Sequence, residues 1–176
     1  EWVDTLTADG ATAIHPPRQQ AQFVMYTDAS TAGFGALLVN AETGEILEHG
    51  RKWDKRHEAK EINQLEANAV FQAAEFFSSH LTRARSIHLV VDNTSVRATL
   101  ARGSAAAHLL NGEIRKALRT LPSTADIRVS YVESAGNPAD APSRGQSADR
   151  NLVRSACGKM AEDWPAKSAL RLRAFG

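Results

Sequence analysis

The spacing of apolar residues changes character along this chain. Residues 22–28 (QFVMYTD) are rich in β-formers and read as a buried strand that delivers Asp28 near its end. Ser30 to Gly33 reads as a turn, and a second apolar run follows from Phe34 to Val39. Asn40 to Gly44 is a polar loop of hairpin length, and residues 45–53 supply a third strand. Three short strands with short connections predict an antiparallel meander. From about 58 to 79 the spacing becomes helical, with Ile62, Leu65, Ala69, Ala73, Phe76 and Phe77 on one stripe. Residues 86–92 (SIHLVVD) form a fourth strand that ends in Asp92. Asn93, Thr94 and Ser95 can cap a short helix through about Ala101, which Gly103 breaks. A further helix is predicted over 104–120, with Leu109, Leu110, Ile114, Ala117, Leu118 and Leu121 on one side and Pro122 as a stop. Residues 126–132 (DIRVSYV) are a fifth strand. Asn137-Pro138-Ala139-Asp140 reads as a helix start, with Asn at the cap, Pro at the first helical position and an acid in the first turn. The order βββ-α-β-α(α)-β-α implies an α/β fold with a mixed sheet and helices on its faces.

Length and composition narrow this picture. The 176 residues suit one compact domain with flanking segments. Residues 1–20 lack periodicity and are punctuated by Asp9-Gly10 and Pro16-Pro17, so they read as a linker or arm. The core domain spans 21–146, and 147–176 is a mixed, basic C-terminal extension with helical potential. The opening Glu1-Trp2-Val3-Asp4 is neither an initiator Met nor a signal peptide, which suggests a piece of a longer polypeptide. No apolar run approaches the roughly 18–20 residues of a membrane span, so no membrane partner is expected. The single cysteine, Cys157, excludes an internal disulfide and, lacking a nearby His cluster, argues against zinc. An intracellular setting, cytoplasmic or nuclear, fits. A net charge of +1 does not announce a nucleic-acid binder. Local clusters do form at Arg51, Lys52, Lys55, Arg56 and Lys60, and at Arg115, Lys116 and Arg119. Each is either a solvated face or a phosphate-tracking surface.

Four acids stand where the pattern disfavours charge. Asp28 and Asp92 end apolar strands, Glu66 lies on the apolar stripe of its helix, and Asp140 sits in a first helical turn after a strand. Turn, cap or helix-dipole roles would account for Asp92 or Asp140 singly. Glu66 is the hardest to explain that way. Buried carboxylates are costly unless paired or metal-bound, and no Lys or Arg is patterned into the same faces. Converging acids would raise one another's pKa and titrate together, and a divalent cation would remove that penalty. All-oxygen ligation suits Mg²⁺ or Mn²⁺. Two such ions can activate a water and stabilise the leaving oxygen of a phosphodiester.

These motifs resemble the ribonuclease H family, in particular its retroelement branch. Tyr26-Thr27-Asp28-Ala29-Ser30 with Gly33, Gly35 and Ala36 is similar to the first-strand signature of reverse-transcriptase ribonuclease H domains. Asn63-Gln64-Leu65-Glu66-Ala67 looks like the helix carrying the family's glutamate, and Val90-Val91-Asp92-Asn93 resembles its fourth-strand motif. The segment from Asn137 through Asp140 to Ser143-Arg144 is similar to the Asn-x-x-Ala-Asp-x-x-Ser-Arg ending of gypsy-type and tyrosine-recombinase (DIRS- and VIPER-like) elements. The resemblance covers about 22–146. It implies a five-stranded sheet in the order 3-2-1-4-5 and metal-dependent cleavage of the RNA strand of an RNA/DNA hybrid. It further implies that Asp28 bridges two metal ions, that Glu66 and Asp92 complete one site, and that Asp140 completes the other. Ser30, Asn93 and Asn137 are candidate donors to a 2′-hydroxyl or phosphate, with turn or cap chemistry the commoner role for each. A polymerase domain of the same polyprotein is the implied neighbour.

Two departures stand out. Many members carry a histidine shortly before the last Asp, whereas residues 131–136 have none and Tyr131 falls near that place. The stretch from Asp92 to Asp140 is short, so a neighbouring domain is expected to supply substrate affinity. His57, His80, His88 and His108 read as incidental. Two rivals remain open from sequence: an integrase- or transposase-type strand transferase of the same fold, and a non-catalytic ribonuclease H-like binding module. The first usually places its glutamate late in the chain, and the second loses its acids.

Overall fold

The computed structural model describes residues 21–57, 60–103, 108–162 and 170–171. Strands β1 (Phe23–Ala29), β2 (Gly33–Asn40) and β3 (Ile46–Lys52) form the predicted antiparallel meander. There follow α1 (Ile62–Phe76), α2 (Ser78–Leu81), β4 (Ser86–Val91), α3 (Thr94–Arg102), α4 (His108–Thr120), β5 (Asp126–Tyr131), α5 (Asp140–Ser143), α6 (Arg150–Glu162) and β6 (Leu170–Arg171). Strand β4 lies parallel to β1, and β5 parallel to β4. The five-stranded sheet in the order 3-2-1-4-5, flanked by helices, is a ribonuclease H-like fold. The two-residue β6 adds an antiparallel edge beside β5.

Strand β1 is buried on both faces, which is why its sequence reads as an almost continuous apolar run. Alternate residues supply two cores. Met25, Ala36, Leu38, Leu89 and Val91 pack with Val70, Ala73, Val96 and Ile114 from α1, α3 and α4. Val24, Tyr26, Leu37, Val39 and Val90 pack on the other face with Ala139, Val153 and Ala156. Helix α6 therefore covers the second face, and Val153 is fully buried there.

The helix predicted over 58–79 begins at Ile62 among the described residues and divides at Phe77 into α1 and α2. Its stripe is narrower than expected. Ile62 is 48% exposed because it opens the helix, and Phe76 is 52% exposed at the rim, where its ring stacks on His49 with centroids 3.7 Å apart. Glu66 is buried with Leu65 and Ala69, as the spacing requires. Asn93 caps α3, accepting from the Val96 N–H at 3.0 Å. Gly103 ends that helix at φ 73°, a left-handed conformation that favours glycine. The helix predicted over 104–120 is present as α4, while 104–107 lie outside the described residues, as do 1–20. The helix expected to start at Asn137 instead starts at Asp140, with Ala139 as its cap. Asn137 is drawn onto β1: its amide donates to the Thr27 carbonyl at 2.9 Å, and its oxygen accepts from the Ala139 N–H.

Candidate metal centre

Parallel neighbours β1 and β4 end at the same edge of the sheet, so Asp28 and Asp92 arrive side by side. Helix α1 crosses this edge from one face and brings in Glu66, which accepts a hydrogen bond from the Ala29 backbone N–H. One carboxylate oxygen from each of Asp28, Glu66 and Asp92 lies within 4.8 Å of the others. Asp28 is 4% exposed and Glu66 5%.

Among the described residues no salt bridge joins a cation to any of the trio, and Arg144, which is engaged with Asp140, acts on Asp28 only through its charge. Burial pushes the Glu66 carboxyl up to about 9, with the charges of Asp92 and Asp28 adding to the effect. Burial likewise pushes Asp28 up to about 7. The Ser143 hydroxyl works against that shift, while Asp92 and Asp140 add to it. Part of the Asp92 contribution is a hydrogen bond that only a protonated Asp28 can donate. Glu66 Oε2 and Asp92 Oδ1 are buried without a hydrogen-bond partner. An all-oxygen trio with unpartnered buried atoms and excess negative charge is a set that can coordinate a divalent metal ion. The other Asp92 oxygen is oriented by the Ser134 hydroxyl, which donates at 2.9 Å.

Asp140 approaches from α5. That helix sits directly on glycine: a Cβ at Gly35 would lie 2.3 Å from the Ala139 carbonyl oxygen, and one at Gly50 2.6 Å from that of Pro142. Asp28, Gly35 and Gly50 are register partners on adjacent strands, so the side-chain-free row runs straight from Asp28 across β2 and β3. A methyl group at Gly35 would displace α5, and Asp140 with it. Asp140 is near enough to raise Asp28, yet the oxygens within 4.8 Å belong to the other three acids. Its carboxylate is engaged by Arg144, with Nη2 at 2.9 Å and Nε at 3.2 Å. This corrects the expectation that no acid has a patterned cation. Arg144 follows Asp140 by four residues, a helical spacing visible in the sequence.

The three candidate substrate donors hold backbone here. The Ser30 hydroxyl donates to the Ser143 carbonyl at 2.9 Å and accepts from the Gly33 N–H at 3.1 Å, closing the β1–β2 turn and tying it to α5. Asn93 caps α3, and its amide donates to Asn63 Oδ1 at 2.8 Å. Asn137 is 2% exposed and bonded as described above. Sequence reasoning missed Ser134, Ser143 and Asn63 as partners of the site. Ser134 lies 42 residues from Asp92, and only the β4–β5 pairing joins them. Tyr131 is 41% exposed at the end of β5. His88 is a core residue, with Nε2 2.7 Å from the Ser130 hydroxyl.

A concavity of about 460 Å³ lies between α2, the end of α4 and the loop that leads to β5. Ser78, Thr82, Arg119 and Ser123 are among its lining residues, so it is at the edge opposite the acids. The acids lie outside it. No described helix is long and apolar enough to cross a membrane.

A family described as an RNase H-like domain found in reverse transcriptase matches residues 7–89, a span that includes Asp28 and Glu66 and stops before Asp92. No curated protein sequence matches the chain. Among solved structures, RNase H1 from the halophilic archaeon Halobacterium salinarum NRC-1 is 22% identical, with a TM-score of 0.54 over 70% of this chain and 94% of its own. The N-terminal RNase H domain of Rv2228c from Mycobacterium tuberculosis is 15% identical, with a TM-score of 0.54 over 80% and 99%. LC11-RNase H1, in complex with an RNA/DNA hybrid, is 13% identical, with a TM-score of 0.54 over 74% and 99%. These likenesses show the fold.

Proposed function

We propose that this chain is a metal-dependent endonuclease that hydrolyses the RNA strand of RNA/DNA hybrids during reverse transcription of a retroelement. The observation that carries this reading is the convergence of Asp28, Glu66 and Asp92 with two of their buried oxygens unpartnered. The partial match to a reverse-transcriptase-associated domain supports it, as does the Asn137–Arg144 segment that resembles gypsy-type and DIRS-like elements. Residues 1–20 then act as an arm from a preceding polymerase or connection region, 21–146 as the catalytic domain and 147–176 as its extension. The polymerase supplies much of the affinity for substrate.

Asp28, Glu66, Asp92 and Asp140 are the residues that would hold Mg²⁺, with Mn²⁺ able to substitute. Bound divalent ions supply a water of lowered pKa and stabilise charge on the leaving oxygen. The protein's own part is placement. Asp28 holds the centre of the group, where Glu66 and Asp140 meet it from opposite faces of the sheet. The Ala29 N–H orients Glu66, and the Ser134 hydroxyl orients Asp92. Arg144 holds Asp140 beside Asp28 while the carboxylate is otherwise unneutralised. Ser30, Asn93 and Asn137 keep the turn, the α3 cap and the approach to α5 in place, and the exposed flank of Asn93 remains a candidate contact to the 2′-hydroxyl.

The test is cleavage of a labelled RNA/DNA hybrid by the chain, alone or fused to its polymerase, with and without Mg²⁺ or Mn²⁺. Cleavage of the RNA strand only with metal, and a loss of at least about 10³-fold in Asp28→Asn with the fold intact, is expected. Equal cutting by the two proteins would overturn the reading.

A further inference from the structure

The chain does not treat its four acids alike. Among the described residues, Asp140 is the one of the four that carries a salt bridge. Arg144 Nη2 stands 2.9 Å from its Oδ1, and Nε lies 3.2 Å from Oδ1 and 3.3 Å from Oδ2. The guanidinium fork therefore spans both carboxylate oxygens, the atoms through which a carboxylate also binds a metal ion. Asp28, Glu66 and Asp92 keep one oxygen each within 4.8 Å of one another with no such partner.

The pair has little to do for the fold. Arg144 caps the four-residue α5, and its side chain is 60% exposed, against 39% for Asp140. An ion pair this exposed adds little stability. The backbone around it is held by other bonds. The Ser143 N–H donates to the Ala139 carbonyl at 3.1 Å, and the Ser143 hydroxyl donates to the Asp140 carbonyl at 2.8 Å. Beyond Arg144 the chain turns at Gly145, and the Gln146 N–H returns to the Ala141 carbonyl at 2.9 Å. Because α5 also rests on Gly35 and Gly50, it has no slack against the sheet. What can change at Asp140 is its partner.

Charge then decides what Arg144 does. A guanidinium is protonated at every working pH, so it leaves a carboxylate by displacement and not by losing its proton. The charges of Asp140 and Asp28 both act on it. A dication that takes Asp140 must replace Arg144 and sit beside its positive charge. A dication held by the other three acids replaces nothing.

We infer that Arg144 is a positioning residue that competes with metal for Asp140. It makes the two ends of the acid cluster unequal: the trio takes the first ion, and Asp140 takes part only when an ion displaces the guanidinium. The inference rests on the metal-dependent nuclease reading and concerns how that site fills.

Electron paramagnetic resonance of free Mn²⁺ counts the ions bound by the full chain at pH 7.5. The wild type should show a tighter and a weaker class of site. Arg144→Gln should tighten the weaker class by about 3- to 10-fold, as expected for removing one exposed competing charge, and leave the tighter class within about 2-fold. Arg144→Lys should stay near the parent, since the positive charge remains. Asp140→Asn should abolish the weaker class, and adding Arg144→Gln to it should then change nothing. In EDTA, Arg144→Gln should melt within about 2 °C of the parent, which separates competition from damage to the fold. An unchanged or weakened second class in Arg144→Gln overturns the competition, as does an equal gain of Mn²⁺ in the Asp140→Asn background. Hybrid cleavage by the wild type separates the two claims. A chain that cuts while its weaker class ignores Arg144→Gln loses the competition alone. A chain that does not cut, yet gains Mn²⁺ in Arg144→Gln, keeps the competition and loses the nuclease.

Discussion

Glu66 on α1 and Glu113 on α4 are both buried carboxylates, 5% and 9% exposed, and the protein treats them in opposite ways. Glu113 is enclosed by partners. Asn68 donates to it at 2.8 Å, Lys60 at 3.0 Å, and Lys116 stands 3.7 Å away. Burial pushes its carboxyl up, but these bonds and charges outweigh burial and hold it below its ordinary value. Glu66 has one backbone donor and two further acids, and is pushed up to about 9. The two meet on one helix, since Asn68, which donates to Glu113, lies on α1 two residues after Glu66. The fold can therefore neutralise a buried acid with its own cations, and at Glu66 it does not. A site left uncompensated within a few residues of a compensated one is a site arranged for a cation from outside.

That contrast can be broken at either end. The largest effect is expected at Glu113. Replacing it with Ala leaves Asn68 and Lys60 without their buried partner and should cost about 2–4 kcal/mol in chemical denaturation. Glu66→Gln should do the reverse. In metal-free buffer at pH 8 it removes a buried carboxyl that the fold holds protonated well above its ordinary range, raising stability by on the order of 2 kcal/mol or more. If both substitutions destabilise alike, Glu66 is an ordinary structural carboxylate.

The pH dependence sharpens the same contrast. Glu66 and Asp28 have raised folded pKa values, so between the ordinary carboxylate range and about 9 the folded state binds more protons than the unfolded one. Metal-free stability should therefore fall as pH rises from about 5, by up to about 1.4 kcal/mol per unit for each group while it titrates. The decline from Asp28 ends near 7 and that from Glu66 near 9. Glu113 has the opposite sign. Its contribution is present above the ordinary glutamate value and is lost as pH falls through its lowered one. Denaturant midpoints from pH 5 to 9 should decline in the wild type and decline less in Glu66→Gln.

How much of this was legible in sequence follows from the range of each interaction. β1 and β4 were readable because strands buried on both faces leave unbroken apolar runs, and Asp28 and Asp92 stood out as charges at their ends. Glu66 was readable from helical period, and the Asn93 cap from its local chemistry. Long-range partners left no comparable mark. Ser134 on Asp92 and Asn68 on Glu113 join residues 42 and 45 apart, and nothing local announces either. The glycine row beneath α5 depends on the registers of three strands, which the pattern fixes only to within a residue or two. The two residues of β6 are too few to show a period. Arg144 is different. Its four-residue spacing from Asp140 was in view, and the helix start was placed too early for the pair to be noticed.

The most direct measurement is thermal melting of the wild type and Glu66→Gln at pH 7.5, with and without 5 mM Mn²⁺. A cation that binds the folded acids alone should raise the wild-type midpoint by several degrees and leave Glu66→Gln nearly unmoved, even though that variant is the more stable without metal. Equal shifts in the two proteins, or none in either, would contradict the claim that the uncompensated acids form a metal centre.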